Sequence, residues 1–559
     1  MENSGEREAL LLTPNDIKRG SWNAFPFFIG TVVGLQLAGG WLSNLIVYLI
    51  DEFNINRIDA AQISSIVSGT ATLIPVAAAV VADSFLGCFS VIFISFIIYL
   101  LGLILLLLTA TLDNLRPNRC ENGSDSCVPP SSFQYAVVYV SLALTTMGLG
   151  GTCYTITTMG ASQFSSPKDR NRYFNWYYFT AYVSSLVTST GIVYIEDNLS
   201  WAWGFSICLA ANMVGLAIFL IGSRYYYFVK PQGSPFMGFA RVIVASVRKR
   251  KIPISSQITD YYYGDHVGDN ALLEAPTLCL RSLNRAALKT EGGIQENGTI
   301  SKQWKLCTVQ QVEDLKTLIQ ILPLWSTAIL LATPIGIQMS LSVLQALTMD
   351  RQMVENVRIP AATMLVFTFI FTALSLGLFD HIIWPVFKKV TWIDRDLTPL
   401  QRIGIGHVFN VASMAVSAVV ESKRRAIAWY QEPESGANVG SMSVFWLVPQ
   451  LALVGIAEAF HYPGQISLYY QEFPNGLKSM ATAMISLIIG MAFYLSGAVI
   501  EIVRSVTDWL PDDINNGRLE NVYWVLVVLG VFNFGYYALC SWIYKYKNNV
   551  HDHMEEVLE

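Results

Sequence analysis

Long apolar runs of about 20 residues alternate with short polar segments along most of the chain. A helix needs about 20 apolar residues to cross the hydrocarbon core of a bilayer, so each such run predicts one transmembrane helix. The sequence therefore predicts an all-α membrane protein with twelve transmembrane helices. They lie near residues 25–50, 60–82, 89–112, 133–160, 173–195, 201–222, 317–347, 361–386, 403–420, 443–470, 480–502 and 521–544.

One long polar stretch interrupts this spacing. It separates six runs from six, which is the arrangement of transporters built from two six-helix halves around a site at the midplane. The pattern predicts five segments: a cytosolic N-terminal tail (1–24), an N-terminal six-helix half (25–222), a cytosolic central loop (223–316), a C-terminal six-helix half (317–546) and a cytosolic C-terminal tail (547–559).

Composition agrees with the membrane assignment. The chain has 559 residues, of which 53% are hydrophobic and only 14% charged, against about 25% charged in soluble proteins. The net charge of −5 speaks against a nucleic-acid partner. The eight cysteines show no metal-type spacing, and no cofactor motif or enzyme motif is recognisable. We therefore expect no cofactor and no metal, and a small substrate and membrane lipid as partners.

Positive residues predict the orientation of the helices, because Lys and Arg are enriched in cytosolic loops. Basic clusters occur at 168–172, 248–251 and 388–389, in loops that alternation places on the same side as both termini. We assign that side to the cytosol. The basic cluster at 423–425 falls on the outer side and is an exception to the rule. The cluster at 248–251 is able to touch anionic lipid, although such clusters more often serve only to fix topology.

One predicted outer loop carries candidates for covalent modification. Cys120 and Cys127 both lie in it and are able to form a disulfide in an oxidising compartment. Asn122 begins a glycosylation sequon in the same loop. Asn198 begins a second outward sequon, closer to the membrane. We expect these residues to be modified only if their loops face outward.

Ionisable residues are scarce inside the predicted spans. Glu458 and His461 lie near the middle of the tenth span, three residues apart and so on one helix face. A charge at that depth costs from about 3 kcal/mol upward and usually faces a cavity or a partner. Four other ionisable residues lie nearer span ends and are expected to reach the surface: Asp380, His381, His407 and Glu501.

The pair of Glu458 and His461 suggests a pH-sensitive gate. Burial favours a neutral Glu458 that donates a hydrogen bond, while His461 changes its charge near neutral pH. Protonation would then make the site competent for an anion. The alternative is a carboxyl group that only ties one helix to another.

Three motifs give the chain a recognisable resemblance: FNWYYF at 174–179, WKLCTVQQVEDLK at 304–316 and WLPDDINNG at 509–517. With them, the chain resembles the plant nitrate/peptide transporter family, the plant branch of the proton-dependent oligopeptide transporters in the major facilitator superfamily. This resemblance implies the major facilitator fold. It also implies that Glu458 occupies the position of the family's tenth-helix glutamate.

The chain departs from that family where the family carries charge. The first-helix motif Glu-x-x-Glu-Arg reads VVGLQ here, with Val32, Leu35 and Gln36 in place of the charged residues. The lysine position of the fourth helix is Cys153, and the acid of the motif that follows is Ser162. The resemblance thus implies that the charged proton-coupling residues of the first and fourth helices are missing.

A family member without these charges is similar to the nitrate excretion transporter subgroup. That similarity implies movement of nitrate, or chloride, outward across the plasma membrane, with the vacuolar membrane as the alternative. Two other functions stay open: transport of a larger organic anion, such as a glucosinolate or hormone conjugate, and a sensor or scaffold without transport. An enzyme is not expected. Residues expected to line the cavity are Gln36, Cys153, Tyr154, Tyr182 and Gln338.

Overall fold

The computed structural model describes most of the chain as helices. The described residues are 21–118, 129–164, 167–228, 235–255, 257–264, 276–290, 304–354, 357–378, 389, 397–429, 442–472, 480–511 and 513–544. Helices before the central loop are α1 (Phe25–Ala38), α2 (Gly40–Ser43), α3 (Leu45–Asp51), α4 (Arg57–Val81), α5 (Gly87–Thr111), α6 (Ser132–Ala161), α7 (Pro167–Val187), α8 (Val193–Asn198) and α9 (Trp201–Gly222).

The remaining elements are α10 (Pro235–Arg248), α11 (Val309–Leu347), β1 (Gln352–Val354), β2 (Val357–Arg358), α12 (Val366–Leu378), α13 (Pro399–Trp429), α14 (Val448–Glu472), α15 (Met480–Val506) and α16 (Leu519–Ile543). The two short strands pair antiparallel. Short 3₁₀-helical segments occur at Ser21–Asn23, Asp113–Leu115, Ile258–Asp260, Arg281–Ala287, Ala362–Leu365 and Val444–Leu447, and π-helical turns at Ala82–Leu86 and Thr188–Ile192.

Among these described residues, ten helices are long and apolar enough to cross a membrane. The predicted fifth span is also helical, through α7, the π-turn and α8. Its aromatic and polar residues lower its mean hydropathy, so it is not among those ten helices. The predicted eighth span begins with the shorter apolar helix Ala362–Leu376, and its second part lies outside the described residues. The predicted all-α membrane architecture is confirmed.

The first predicted span is not one straight helix. It breaks after α1 at Gly39 and again at Asn44, giving three consecutive segments. Gly40 lies so close to the π-turn of the fifth span that a Cβ atom there would sit 2.8 Å from Ile192 Cγ2. The break therefore brings the end of α1, where Gln36 is located, against the fifth span.

The seventh span begins in the central loop. The Thr308 hydroxyl accepts a hydrogen bond from the backbone N–H of Gln311, and the Gln311 side chain accepts one from the Thr308 N–H. This capping box satisfies two donors that the helix itself leaves free. Helix α11 runs for 39 residues from this cap to Leu347, so it begins before the predicted span at 317–347.

The ninth predicted span is longer than the sequence suggested. We expected it to end at residue 420, but α13 continues to Trp429. The basic residues at 423–425 therefore lie on this helix, and not in an outer loop. Their exception to the charge rule has a local cause, which the polar contacts of the C-terminal half provide.

Candidate functional site

Gln36 lies among hydroxyl groups of the fifth span. Its side-chain oxygen accepts a hydrogen bond from the Ser185 hydroxyl at 3.4 Å, and its backbone oxygen accepts one from the Thr188 hydroxyl at 3.3 Å. Gln36 is half-buried. Since its oxygen is taken by Ser185, the amide nitrogen presents the N–H donors, and amide and hydroxyl donors are groups that bind an anion without a formal charge.

Cys153 on α6 contacts the same face of the fifth span. Its backbone oxygen accepts a hydrogen bond from the Tyr177 hydroxyl at 3.3 Å. Because Tyr177, Ser185 and Thr188 are spaced by eight and three residues, they share one side of that helix. Thus α7 and the following π-turn link Gln36 to Cys153, the two positions where the resemblance predicts lost charges.

Two of the residues expected to line the cavity are tyrosines. Tyr182 lies on α7 with 39% of its surface exposed. Tyr154 lies on α6, next to Cys153. Their roles in a cavity stay predictions.

Glu458 is half-buried near the middle of α14. The Thr372 hydroxyl on α12 is a neighbour of its carboxyl group. The Thr372 hydroxyl donates to the backbone oxygen of Thr368 at 2.8 Å. A hydroxyl that donates there still has lone pairs to which a protonated carboxyl group is able to donate.

His461 faces a different neighbour. It is fully buried, and Gly406 on α13 packs against it so closely that a Cβ atom there would sit 2.9 Å from His461 Cβ. The His461 Nε2 atom hydrogen-bonds with the Gln465 side-chain nitrogen at 2.9 Å. Glu458 thus contacts α12 and His461 contacts α13, although the two residues lie one turn apart.

His407 does not reach the surface, as its place near a span end had suggested. Only 1% of it is exposed. Its ring stacks on that of Tyr537, with centroids 4.6 Å apart. The Tyr537 hydroxyl in turn donates to the Leu400 backbone oxygen at 2.5 Å. His407 is therefore enclosed by α16. This neighbouring helix, which the sequence pattern does not reveal, keeps the His407 side chain from reaching the membrane surface.

Gln338 belongs to a buried polar network. Its amide nitrogen donates to the Ser417 hydroxyl at 2.9 Å, and its amide oxygen accepts from the Ser413 hydroxyl at 3.0 Å. Only 1% of Gln338 is exposed. These contacts tie α11 to α13, which is the role of a helix-locking residue. Its role as a cavity residue stays a prediction.

The same network contains an ion pair that the sequence analysis missed. Gln345 donates to Glu421 at 2.7 Å, and Gln450 donates to Gln345 at 3.1 Å. Glu421 pairs with Arg424 at 2.7 Å. The Glu-x-x-Arg spacing was visible in the sequence, but the helix was expected to end one residue before Glu421.

All three basic residues at 423–425 have local partners. Besides the Glu421–Arg424 pair, Arg425 forms an ion pair with Glu520 at 2.7 Å. The Lys423 ammonium lies 4.4 Å from the centroid of the Trp446 ring. Each of the three cations therefore has a partner within the C-terminal half, and this is the local cause that accommodates them at this side.

Polar contacts join the two halves at the side that the charge rule predicts to face outward, called the outer side below. Arg504 on α15 pairs with Asp59 on α4. The Gln62 amide donates to Glu501 at 2.7 Å, one turn further into the membrane. These contacts close α4 against α15 at the outer end of the bundle.

Further contacts extend this closure across the outer side. Arg351 lies 3.7 Å from Asp197, and the Thr363 hydroxyl donates to the Ser189 backbone oxygen at 3.0 Å. Both join the fifth span to the segment between α11 and α12. The outer side is therefore closed by contacts from several helices in each half.

The predicted modification sites fall partly outside the structure. Asn122, Cys120 and Cys127 lie outside the described residues. Asn198 is exposed at the end of α8, and its side-chain nitrogen donates to the Tyr194 backbone oxygen at 3.2 Å. Within the part of the chain that the structure describes, no group of three or more His, Cys, Asp or Glu side chains is placed to hold a metal ion.

Comparison with known sequences gives matches along the chain. The model of the POT family matches residues 89–517. Protein NRT1/ PTR FAMILY 2.7 of Arabidopsis thaliana is 47% identical over 548 residues, covering 98% of this chain and 97% of the relative. Protein NRT1/ PTR FAMILY 2.6 of the same plant is 46% identical, with 98% and 97% covered.

Solved structures with the same fold are more distant in sequence. An auto-inhibited POT family peptide transporter aligns with a TM-score of 0.67 at 16% identity, covering 93% of this chain and 97% of that one. A POT family transporter in complex with 5-aminolevulinic acid aligns with a TM-score of 0.64 at 12% identity, covering 95% and 100%. At these identities the likeness establishes the fold alone.

Proposed function

Because the chain belongs to the POT family of membrane transporters, within the major facilitator superfamily, we propose that it carries small inorganic anions. Nitrate is the first candidate and chloride the second. The proposed direction is outward across the plasma membrane. The transport unit is proposed to comprise halves 25–222 and 317–546, with 223–316 as a cytosolic connection.

One observation carries this proposal: uncharged side chains occupy the two positions where the resemblance predicts charge. The Gln36 side-chain oxygen accepts from Ser185, which leaves the amide nitrogen as the donor group, and the Tyr177 hydroxyl donates to the Cys153 backbone oxygen. A peptide or other zwitterion is held by fixed charges of both signs. A monovalent anion is satisfied by uncharged donors, and the Gln36 amide nitrogen is the one proposed here.

The membrane potential supplies the driving force in the proposed direction. An inside-negative potential favours outward movement of a monovalent anion by about 2.3 kcal/mol per 100 mV. This corresponds to a bias of roughly fifty-fold at 25 °C. Efflux therefore needs no proton symport, in agreement with Val32, Leu35 and Gln36 at the positions of the proton-coupling motif.

Glu458 is proposed to add a pH dependence. Its neighbour Thr372 donates to Thr368 and keeps lone pairs to which a protonated Glu458 is able to donate. A charged Glu458 would repel an anion. Acidification would thus favour the conducting form without a stoichiometric proton being carried.

The test is anion flux in reconstituted vesicles under an imposed potassium diffusion potential, with and without a pH gradient. We expect nitrate flux that follows voltage, competition by chloride, and weak competition by bulky organic anions. Vesicles without protein are the control. Flux that requires a pH gradient and does not follow voltage would contradict the proposed voltage-driven transport. Preference for the bulky organic anion would show that this anion, and not nitrate, is the cargo. Absence of flux for all anions would favour a sensor or scaffold.

A further inference from the structure

Helix α10 in the central loop has one face covered by protein. Phe239, Val242 and Ala245 on this face are buried and belong to a hydrophobic cluster with residues of the Arg281–Ala287 turn and the start of α11. Lys249, directly after the helix, is also buried and donates to the backbone oxygens of Ala286 at 3.2 Å and Leu288 at 2.6 Å. This inward face holds the helix against the cytosolic end of the seventh span.

The opposite face of α10 is apolar as well. Met237, Ile243 and Val247 are 39%, 49% and 59% exposed. At 100° per residue, Ala240 and Val244 fall between them on the same arc, and both are half-buried. A soluble helix normally presents polar residues on its outer side. The inner face of α10 is already packed against protein. Its apolar outer face therefore needs a second apolar surface to cover it.

Basic residues border this outer face. Arg248, Arg250 and Lys251 are exposed at the end of α10 and directly after it. The Arg248 guanidinium donates to the backbone oxygen of Trp304 at 3.3 Å, and the Trp304 ring is 38% exposed. An apolar stripe flanked by Lys and Arg, with an exposed Trp beside it, is the composition of helices that lie in a membrane interface.

The position of the helix fits such an interface. The sixth span ends at Gly222, and Tyr225 and Phe228 directly after it are 44% and 46% exposed. Exposed aromatic rings at span ends mark the headgroup level of a bilayer. Helix α10 begins at Pro235 and packs on the start of α11. It is therefore held between the cytosolic ends of two membrane-spanning helices.

We propose that the outer face of α10 binds the cytosolic leaflet of the membrane and that Arg248, Arg250 and Lys251 select anionic phospholipid headgroups. The apolar side chains enter the boundary between headgroups and acyl chains, and the basic residues stay at the phosphate level. Charge complementarity favours this occupant, because the cytosolic leaflet carries negative lipids within reach of both anchoring helices. A soluble protein partner is the competing occupant that the test must separate.

The experiment uses the full chain in nanodiscs and a phosphatidylserine whose acyl chain bears a photoactivatable diazirine. Cross-linked residues are mapped by mass spectrometry, and the same probe on phosphatidylcholine measures headgroup preference. We expect labelling of Met237, Ile243 and Val247 by both probes, with stronger labelling by the phosphatidylserine probe. Lys251→Glu should lower that preference at least about fivefold, the equivalent of about 1 kcal/mol per surface charge.

A matched variant controls for charge alone. Lys289→Glu reverses one exposed lysine of the same loop outside α10 and should leave the lipid preference unchanged. Val247→Glu should reduce labelling of α10 by both probes, because it places a charge in the apolar stripe. The proposal is overturned if α10 is not labelled in nanodiscs, which would favour a soluble partner, or if Lys289→Glu and Lys251→Glu have equal effects.

Discussion

Glu421 and Arg424 form an ion pair in which both side chains are withdrawn from solvent, with 0% and 2% exposed and a distance of 2.7 Å. Arg424 also donates to Asn515 at 2.7 Å and to Thr348 at 3.0 Å. The pair therefore joins α13 to α11 and to the turn before α16. Its surroundings satisfy both charges.

Removing one member of this pair should be far more harmful than removing both. Arg424→Met leaves Glu421 buried without its cation, and breaking such a pair typically costs about 3–5 kcal/mol. The double variant Glu421→Leu with Arg424→Met removes both charges and should recover most of that loss. The measurement is thermal unfolding in detergent together with the yield of folded protein.

Arg57→Gln is the control for this comparison. In the Arg57–Asp513 pair 37% and 52% of the two side chains are exposed, so its loss should cost less than about 1 kcal/mol. If the double variant is as unstable as Arg424→Met alone, an unpaired buried charge is not the cause of the lost stability.

Glu458→Gln should keep voltage-driven anion flux and remove its pH dependence. A glutamine side chain cannot ionise, and its amide nitrogen is able to donate to Thr372 as a protonated carboxyl does. Flux is measured in vesicles at a fixed potential while the pH is changed equally on both sides.

Glu472→Gln is the matched control, because Glu472 is a buried glutamate at the end of the same helix that accepts from the Tyr544 hydroxyl at 2.8 Å. This variant should retain the pH dependence. An unaltered pH profile in Glu458→Gln would remove Glu458 from the proposed gate.

Weakening the outer contacts between the halves should populate a state that is open to the outside. Arg504→Gln removes the pair with Asp59, whose side chains are 29% and 37% exposed. Such pairs contribute about 0.2–1 kcal/mol, so the open population should rise by a factor of about 1.5 to 5. Spin labels at Asp113 and Met353, on the outer side of the two halves, would report the change as a longer distance.

Exchanging the charges, with Asp59→Arg and Arg504→Asp together, is the control and should restore the distance of the parent protein. Equal distance distributions in Arg504→Gln and the parent would show that the outer closure does not depend on this pair.

Cys307 in the central loop should react with alkylating reagents much more slowly than the exposed Cys279. Burial raises the pKa of the Cys307 thiol to about 11, and only the thiolate is nucleophilic. At pH 8 about one molecule in a thousand carries that thiolate, and the rate should rise about tenfold per pH unit up to pH 11. Mass spectrometry of labelled peptides measures both sites in one sample.

Lys249→Ala should slow this reaction, because the Lys249 ammonium is a nearby cation that lowers the pKa of the Cys307 thiol, and its loss leaves less thiolate. Cys279 provides the internal standard. If the rate at Cys307 stops rising between pH 9 and pH 11, a raised pKa is not the cause of its protection.

The sequence was sufficient for the membrane helices and insufficient for their rotation. Apolar length alone locates a span, and the capping box of Thr308 with Gln311 depends on two residues only three positions apart. The fate of His407 and Gln338 depends on which neighbours surround them. His407 is covered by Tyr537 and Gln338 by Ser413 and Ser417, residues between 75 and 130 positions away in the chain, and one sequence contains no signal for such contacts.

The candidate site was predictable in part. The uncharged positions Gln36 and Cys153 followed from comparison with a known motif, and the structure places hydroxyl groups beside both. Thr372 beside Glu458 was not predictable, because it lies on another helix in a run of ordinary apolar residues. The pairing of Glu421 with Arg424 was predictable in principle, since a spacing of three places both on one helix face.

In the proposed orientation, the partly exposed charges that join the two halves face the external solution. Dissolved salt screens such pairs, with a Debye length that falls from about 30 Å at 0.01 M to about 10 Å at 0.1 M. We therefore expect the Arg504–Asp59 and Arg351–Asp197 contacts to weaken as the medium outside becomes more concentrated. A balance between closed and open forms would then shift with the ionic strength of the surroundings.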